Sequence, residues 1–362
     1  MGRSFATIIV AAITAMIIIL LLLIALVIYF VSRRRRSAGA IAGGPGRCSL
    51  SLSKEDGASQ LFLMLATLFL AVTIYSFNRS MGSPVSWWTI FFLSTALGFA
   101  SAYSFKTPYT LALSLLALPV WWGMRTYEWG HGKDLKPSMI FAGVALFTLL
   151  YYALGHVHGR SPKAKRFALM YLIFGIVPMT GVLFFLSTKP GIEALEEMTK
   201  GPSCGPWQVG GSLYVLLAAL AASTVYSLSV ESIFRTETLA IVLLAVLFLA
   251  IAFLPEQELV SGHVLSATGV VWATLLNITV FLELLGLIFS GYLRREKWLI
   301  NLGALFLFLL IIVKYLDWFF TFLDKSIFFI GAGILLFAVG WFMERGRRYM
   351  ISGVRGAVER TS

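Results

Sequence analysis

Between Phe5 and Val31 the chain carries no charged residue, and ten further apolar runs of comparable character follow before the C-terminus. A helix rises about 1.5 Å per residue, so about 20 apolar residues cross the roughly 30 Å hydrocarbon core of a bilayer. The later runs lie at about 60–76, 86–103, 107–124, 138–156, 167–187, 210–229, 238–254, 264–291, 299–316 and 326–343. Backbone groups in lipid must be paired within the segment, and these runs lack the alternating apolar and polar pattern of a membrane barrel. The expected fold class is therefore all-α, a polytopic integral membrane helix bundle of about 11 transmembrane helices. Composition agrees: 59% of the 362 residues are hydrophobic and 13% charged. That balance excludes a large catalytic ectodomain, a disulfide scaffold and a nucleic-acid-binding protein.

The first run ends at Arg33, Arg34, Arg35 and Arg36. A cleaved signal peptide would have a shorter apolar region with its basic residues in front, so a retained anchor is expected instead. Residues from Ser37 to Gly57 are small, polar and glycine-rich, the composition of a flexible linker. The chain thus divides into an N-terminal anchor (1–36), a linker (37–59), a ten-helix membrane domain (60–343) and a basic tail (344–362).

The net charge of +12 acquires meaning only from its distribution. With the N-terminus outside, 20 of the 29 Lys and Arg residues fall in inner connections, in clusters at Arg33 to Arg36, at Arg160 to Arg166, at Arg294 to Lys297 and from Arg345 onward. Every inner loop then holds at least one basic residue, as the positive-inside rule requires. The reading is a multi-pass protein of the plasma (inner) membrane, with its C-terminus cytoplasmic. The basic excess faces the anionic inner leaflet, so membrane lipids and membrane-protein partners are expected, and no nucleic acid. Trp87, Trp88, Trp121, Trp122, Trp129, Trp207 and Trp318 gather at outer ends as an aromatic belt. A stacking platform at Trp87, Trp88, Trp121 and Trp122 is the sharper alternative.

Cys48 and Cys204 fall on opposite faces and so cannot pair. No metalloprotease, paired-cysteine or phosphate-loop motif occurs, and neither a cofactor nor a catalytic residue is expected. His156 and His158 read as a solvated helix end, with a metal or phosphate site as the alternative. Glu193, Glu196 and Glu197 read as the solvated face of a short surface helix rather than a cation or acid-base site.

The polar residues at membrane depth are more informative. Asn277 lies near the middle of 264–291 and Glu283 about 9 Å further along. Thr279, Glu283, Gly286 and Ser290 recur at helical spacing, which places them along one face. Pro178, between Gly175 and Gly181, interrupts the span 167–187, as such residues do at transporter binding sites. Glu283, Asn277, Thr279, Ser290 and Pro178 are therefore the candidate intramembrane polar site. Its functional reading is a carrier or lipid-handling protein. The competing reading is a neutral Glu283 hydrogen-bonded to a neighbouring helix through a Gly and Ser seam, in a non-catalytic accessory or scaffold subunit.

The stretch from Lys314, Tyr315 and Asp317 through Asp324, Gly331 and Gly333 to Glu344, Arg345, Arg347 and Arg348 resembles the end of an uncharacterised family of prokaryotic polytopic membrane proteins, domain of unknown function 2157. The matching features are a Lys-Tyr-x-Asp hairpin, a glycine-containing last span and a Glu-Arg tail. The resemblance covers about 35 residues closely. It implies a prokaryotic plasma-membrane protein and carries over no catalytic residue.

Overall fold

The computed structural model describes residues 57–130, 135–161, 164–201, 207–261, 264–319 and, with gaps, 330–348. The expected anchor and nearly all of the linker lie outside the described residues, as do Cys48, Cys204, His131, His263 and the end of the basic tail.

The described residues form an all-α bundle. Its helices are α1 (Gly57–Ser80), α2 (Trp87–Phe105), α3 (Pro108–Gly130), α4 (Pro137–Gly159), α5 (Lys165–Leu186), the short α6 (Lys189–Thr199), α7 (Trp207–Ser229), α8 (Arg235–Ala252), α9 (Ala267–Leu293) and α10 (Lys297–Phe319). A two-residue antiparallel pair, β1 (Val260–Ser261) with β2 (Val264–Leu265), closes the turn before α9. Each long helix matches one of the expected spans to within a few residues. The last expected span, 326–343, is only partly described.

Eight of these helices are long and apolar enough to cross a membrane: α1, α2, α4, α5, α7, α8, α9 and α10. Two are exceptions: α6, with 11 residues, is too short, and α3 has the length, 23 residues, but places Thr110, Ser114 and Thr126 on its buried face and Arg125 and Glu128 near its end. Exposure is inverted relative to a water-soluble protein. Phe62, Phe69, Tyr214, Val271 and Leu282 are all more than half exposed, while Thr110, Thr126, Ser138, Thr180 and Ser227 are buried. Large apolar side chains in that number would aggregate in water, and they suit a lipid surface.

Contacts between connections sort the loops onto two ends. At one end Asn78 brackets Val85, its amide donating to the Val85 carbonyl at 2.8 Å and its oxygen accepting from the Val85 N–H at 3.1 Å. Trp121 donates to the Trp88 carbonyl, Lys136 to the Leu254 carbonyl and Ser138 to the Ala252 carbonyl at that same end. Lys314 donates to the Ser187 carbonyl. At the other end Arg160 donates to the Val230 carbonyl, Ser227 to the Ala153 carbonyl and Arg294 to Glu237. The long helices therefore alternate in direction from α1 to α10, as the charge distribution requires.

Three turns at the second end share one construction. Lys106, Glu231 and Arg295 each adopt the left-handed conformation, with φ of 56°, 54° and 58°. The following N–H reaches back five residues in each, from Thr107 to Ala102, Ser232 to Ser227 and Glu296 to Gly291. This bonding closes the carbonyls that a helix C-terminus leaves open, and glycine is the residue such turns favour.

The centre of the bundle is α4, which touches α3, α5, α6, α7 and α8. Its crossing with α5 depends on Gly175: a Cβ there would stand 2.7 Å from the Tyr152 nitrogen and 2.9 Å from the Thr148 carbonyl oxygen. Without a hydrophobic force between helices in lipid, such close backbone approach supplies much of the attraction.

Candidate functional site

Glu283 stands on the buried side of α9 and meets α5, whose Thr180 hydroxyl donates to its Oε1 at 2.6 Å. Its Oε2 is buried and has no partner. Among the described residues no Lys or Arg forms an ion pair with Glu283. Thr180 sits two residues after Pro178, yet α5 continues through the proline without interruption. The expected break at Pro178 is therefore absent. The Gly175 turn, three residues before the proline, packs closely on α4, and membrane helices tolerate the loss of one such N–H.

The other candidates disperse. Asn277 donates to the Ala273 carbonyl and Thr279 to the Leu275 carbonyl, each one turn back on α9. A Cβ on Gly286 would meet nothing within 4 Å, so the expected glycine and serine seam is not a packed contact. Ser290, in contrast, is buried, and its hydroxyl donates to Glu237 Oε1 at 2.5 Å. Glu283 and Ser290 share a face of α9 about 10 Å apart along the axis.

Ser290 leads into a cluster that sequence reasoning overlooked. Glu237, in the first turn of α8, accepts from Arg294 at 2.5 Å and closes a capping bond from the Phe234 N–H at 3.0 Å. The Arg294 guanidinium also reaches the Ser232 carbonyl and lies 4.8 Å from the Phe234 ring centroid. Tyr152 of α4 stands beside the Glu237 carboxylate. One turn further on, the His156 ring packs edge-on to Tyr152 at 4.6 Å, buried, with its Nε2 unpartnered. A signal existed in the pairing of one acidic residue, Glu237, with a basic loop at Arg294, but spacing along the chain gives no hint that α8 and α9 meet there.

His158 is engaged differently. Its Nδ1 lies 2.8 Å from the Leu154 carbonyl, which can only accept, so Nδ1 donates. The Tyr103 hydroxyl bridges the other ring nitrogen, Nε2, at 2.9 Å and the Tyr171 hydroxyl at 2.9 Å. The solvated helix end expected for His156 and His158 is thus replaced by one buried ring and one tied ring, because α4 continues to Gly159 against α2 and α5.

The remaining sequence candidates also separate. Trp122 is a core residue at the α3–α4 contact, where a Cβ on Gly143 would clash with its ring at 1.9 Å. Trp121 turns to α2 and the Trp87 side chain is exposed, so the four tryptophans make no shared platform. Arg125 stacks on Trp88 at 3.6 Å and Trp129 at 4.9 Å, an interfacial anchor. Glu196 accepts from the Leu259 and Val260 N–H groups, and Glu197 pairs with Lys200 at 2.5 Å. Glu193 is exposed, so the three carboxylates of α6 share no site. Among the described residues no three His, Cys, Asp or Glu side chains gather as a metal site requires.

The fold and this polar interior define a membrane-embedded helical bundle. No family model matches the chain, and no curated protein or solved structure is similar to it.

Proposed function

We propose that the protein is a carrier for a small solute in a prokaryotic plasma membrane, with Glu283 as its coupling carboxyl. One observation carries the reading: an acid at membrane depth holds one oxygen on Thr180 and leaves the other buried without a partner. Ionisable groups in spans are costly and mark substrate or ion pathways, and a buried unsatisfied oxygen points the same way. The proposed orientation puts the end bearing Lys106, Arg160, Arg235 and Arg294 against the anionic inner leaflet, whose lipids are its first partners.

A second reading, an accessory or scaffold subunit, has its own support in the Thr180 bond, which ties α5 to α9 and would serve packing alone. Counterflow separates the two. Purified protein reconstituted in liposomes is screened with a panel of radiolabelled amino acids, sugars and organic acids. A carrier exchanges at least one solute, and Glu283→Gln abolishes that exchange while the variant stays folded. Absence of counterflow across the panel, together with stoichiometric co-elution of a second membrane protein in mild detergent, would establish the scaffold reading.

A further inference from the structure

The two halves of α8 are held in different ways. Its buried residues all lie from Ile241 onward: Ile241, Ala245, Leu247, Phe248, Ile251 and Ala252. This half packs on α4, with the Phe248 ring 6.0 Å from that of Phe141, and Lys136 and Ser138 close the carbonyls of Leu254 and Ala252 at its end. From Arg235 to Ala240 no residue is buried. Polar contacts hold that first turn instead: Glu237 accepts from Arg294 and from Ser290, each at 2.5 Å, and the Arg294 guanidinium reaches the Ser232 carbonyl at 3.4 Å. The clasp joins two helices that otherwise pack mainly on different neighbours, α8 on α4 and α7, and α9 on α5, α6 and α10. It also stands in line with Glu283. Ser290 lies two turns beyond Glu283 on one face of α9, with the buried Leu287 between them. An approach along that face from the basic end to the unpartnered Glu283 Oε2 meets the clasp first.

We propose that Glu237, Arg294 and Ser290 form a gate at the basic end of the bundle. The first turn of α8 swings away from α9, pivoting on the half that α4 holds, and opens the face of α9 that leads to Glu283. The inference rests on the carrier reading and names the device that opens its site to one side. A carrier exposes its site to each side in turn, so the contact that closes one side must be replaceable when it parts. An apolar contact at the aqueous boundary would leave apolar surface in water. The two charged groups instead recover hydration, and their side chains, 10% exposed for Glu237 and 22% for Arg294, already stand close to that boundary. A fully buried pair would be far harder to part. The carbonyls that Lys136 and Ser138 close at the opposite end of α8 lie against fully buried side chains, which suits a pivot.

Two measurements on full-length protein in lipid nanodiscs, with Cys48→Ser and Cys204→Ser, test the gate without knowledge of the solute. In the first, spin labels are placed at Leu239→Cys and Tyr292→Cys, exposed positions flanking the clasp, or at Phe253→Cys and Val270→Cys, exposed positions at the opposite ends of α8 and α9. Pulsed electron resonance is expected to show the flanking pair at a short distance with a minor longer population. Arg294→Gln is expected to enlarge that population and leave the opposite pair unchanged. In the second, a thiol at Leu287→Cys is expected to react with a water-soluble maleimide about tenfold faster in Arg294→Gln, the scale of one lost hydrogen bond to a charged group. Ser290→Ala keeps the ion pair and is expected to speed the reaction by about threefold, the lower end of the same scale. Where Arg294→Gln fails to fold, Ser290→Ala decides. A wild-type reaction rate in the folded variants, a flanking pair with the short distance alone, or equal lengthening of both pairs would overturn the gate. That result leaves untouched any dependence of counterflow on Glu283. Conversely, a clasp that opens in this way in a protein without counterflow removes the carrier reading alone.

Discussion

Glu283 illustrates how one side chain reads differently in one and in three dimensions. Its depth in 264–291 marks it as costly, and the structure meets part of that cost with a single hydroxyl, that of Thr180. Interhelical hydrogen bonds in membranes contribute about 0.6 kcal/mol on average, so Thr180→Val should lower unfolding free energy by about that amount in bicelles. A loss of more than about 2 kcal/mol would mean the bond organises the α5–α9 contact, since it far exceeds one such bond. Glu283→Gln should fold normally, because an amide keeps the shape and can accept from Thr180. Glu283→Lys should be destabilised by about 3 kcal/mol, the scale for a cation at helix centre, measured as loss of folded protein in the same assay.

Lys200 shows the opposite regime at the same scale. The Glu197 hydrogen bond raises its ammonium pKa above the ordinary value of 10.5. A raised folded value means that whatever stability the pair adds is present below 10.5 and fades as pH rises through the raised value. Both side chains are nearly half exposed, so Lys200→Ala should change stability by less than about 0.5 kcal/mol at neutral pH. A salt titration of the two melting curves checks this, and a clear difference at low salt would be unexpected.

At the scale of elements, helix ends and crossings govern the bundle. Glu231 holds a left-handed conformation that costs a side-chain-bearing residue about 1 kcal/mol. Glu231→Gly should therefore stabilise the α7–α8 turn by about 0.5 to 1 kcal/mol, partly offset by the greater freedom of glycine in the unfolded chain. Gly175→Ala tests a crossing instead. Its Cβ would lie 2.9 Å or less from three backbone atoms of α4, none of which can rotate away. The helices must separate, at a cost of about 1 to 3 kcal/mol. A melting temperature equal to wild type would show that α4 and α5 do not meet at that distance.

For the whole molecule the topology makes a claim that labelling can check. The structure groups the loops at two ends, and the positive-inside rule assigns the end bearing Arg160, Arg235 and Arg294 to the cytoplasm. An impermeant thiol reagent on intact cells should then modify Cys204 and spare Cys48. Modification of Cys48 alone would reverse the orientation and leave the fold unchanged.

Helix positions were legible along the chain because a span needs only about 20 apolar residues in succession, a local property. The alternation of ends followed from the same local facts once loop charges were counted. Glu283 was legible as a candidate because a lone charge in an apolar run stands out by itself. Its partner was not, since Thr180 lies 103 residues away, and any of several hydroxyls could have met it. Spacing on α9 placed Thr279, Gly286 and Ser290 with Glu283, yet the crossing with its neighbours selected Ser290 and left Gly286 open. Helical periodicity defines a face but not which part of it another helix covers. The joining of Tyr152, His156, Glu237, Ser290 and Arg294 from three helices likewise depended on crossings set by close approach at residues such as Gly175. Among the described residues the sequence alone determined where the chain is helical and how its helices alternate, because lipid imposes those features on each segment separately. Which polar groups meet inside was decided only by tertiary packing, because that contact exists only between segments.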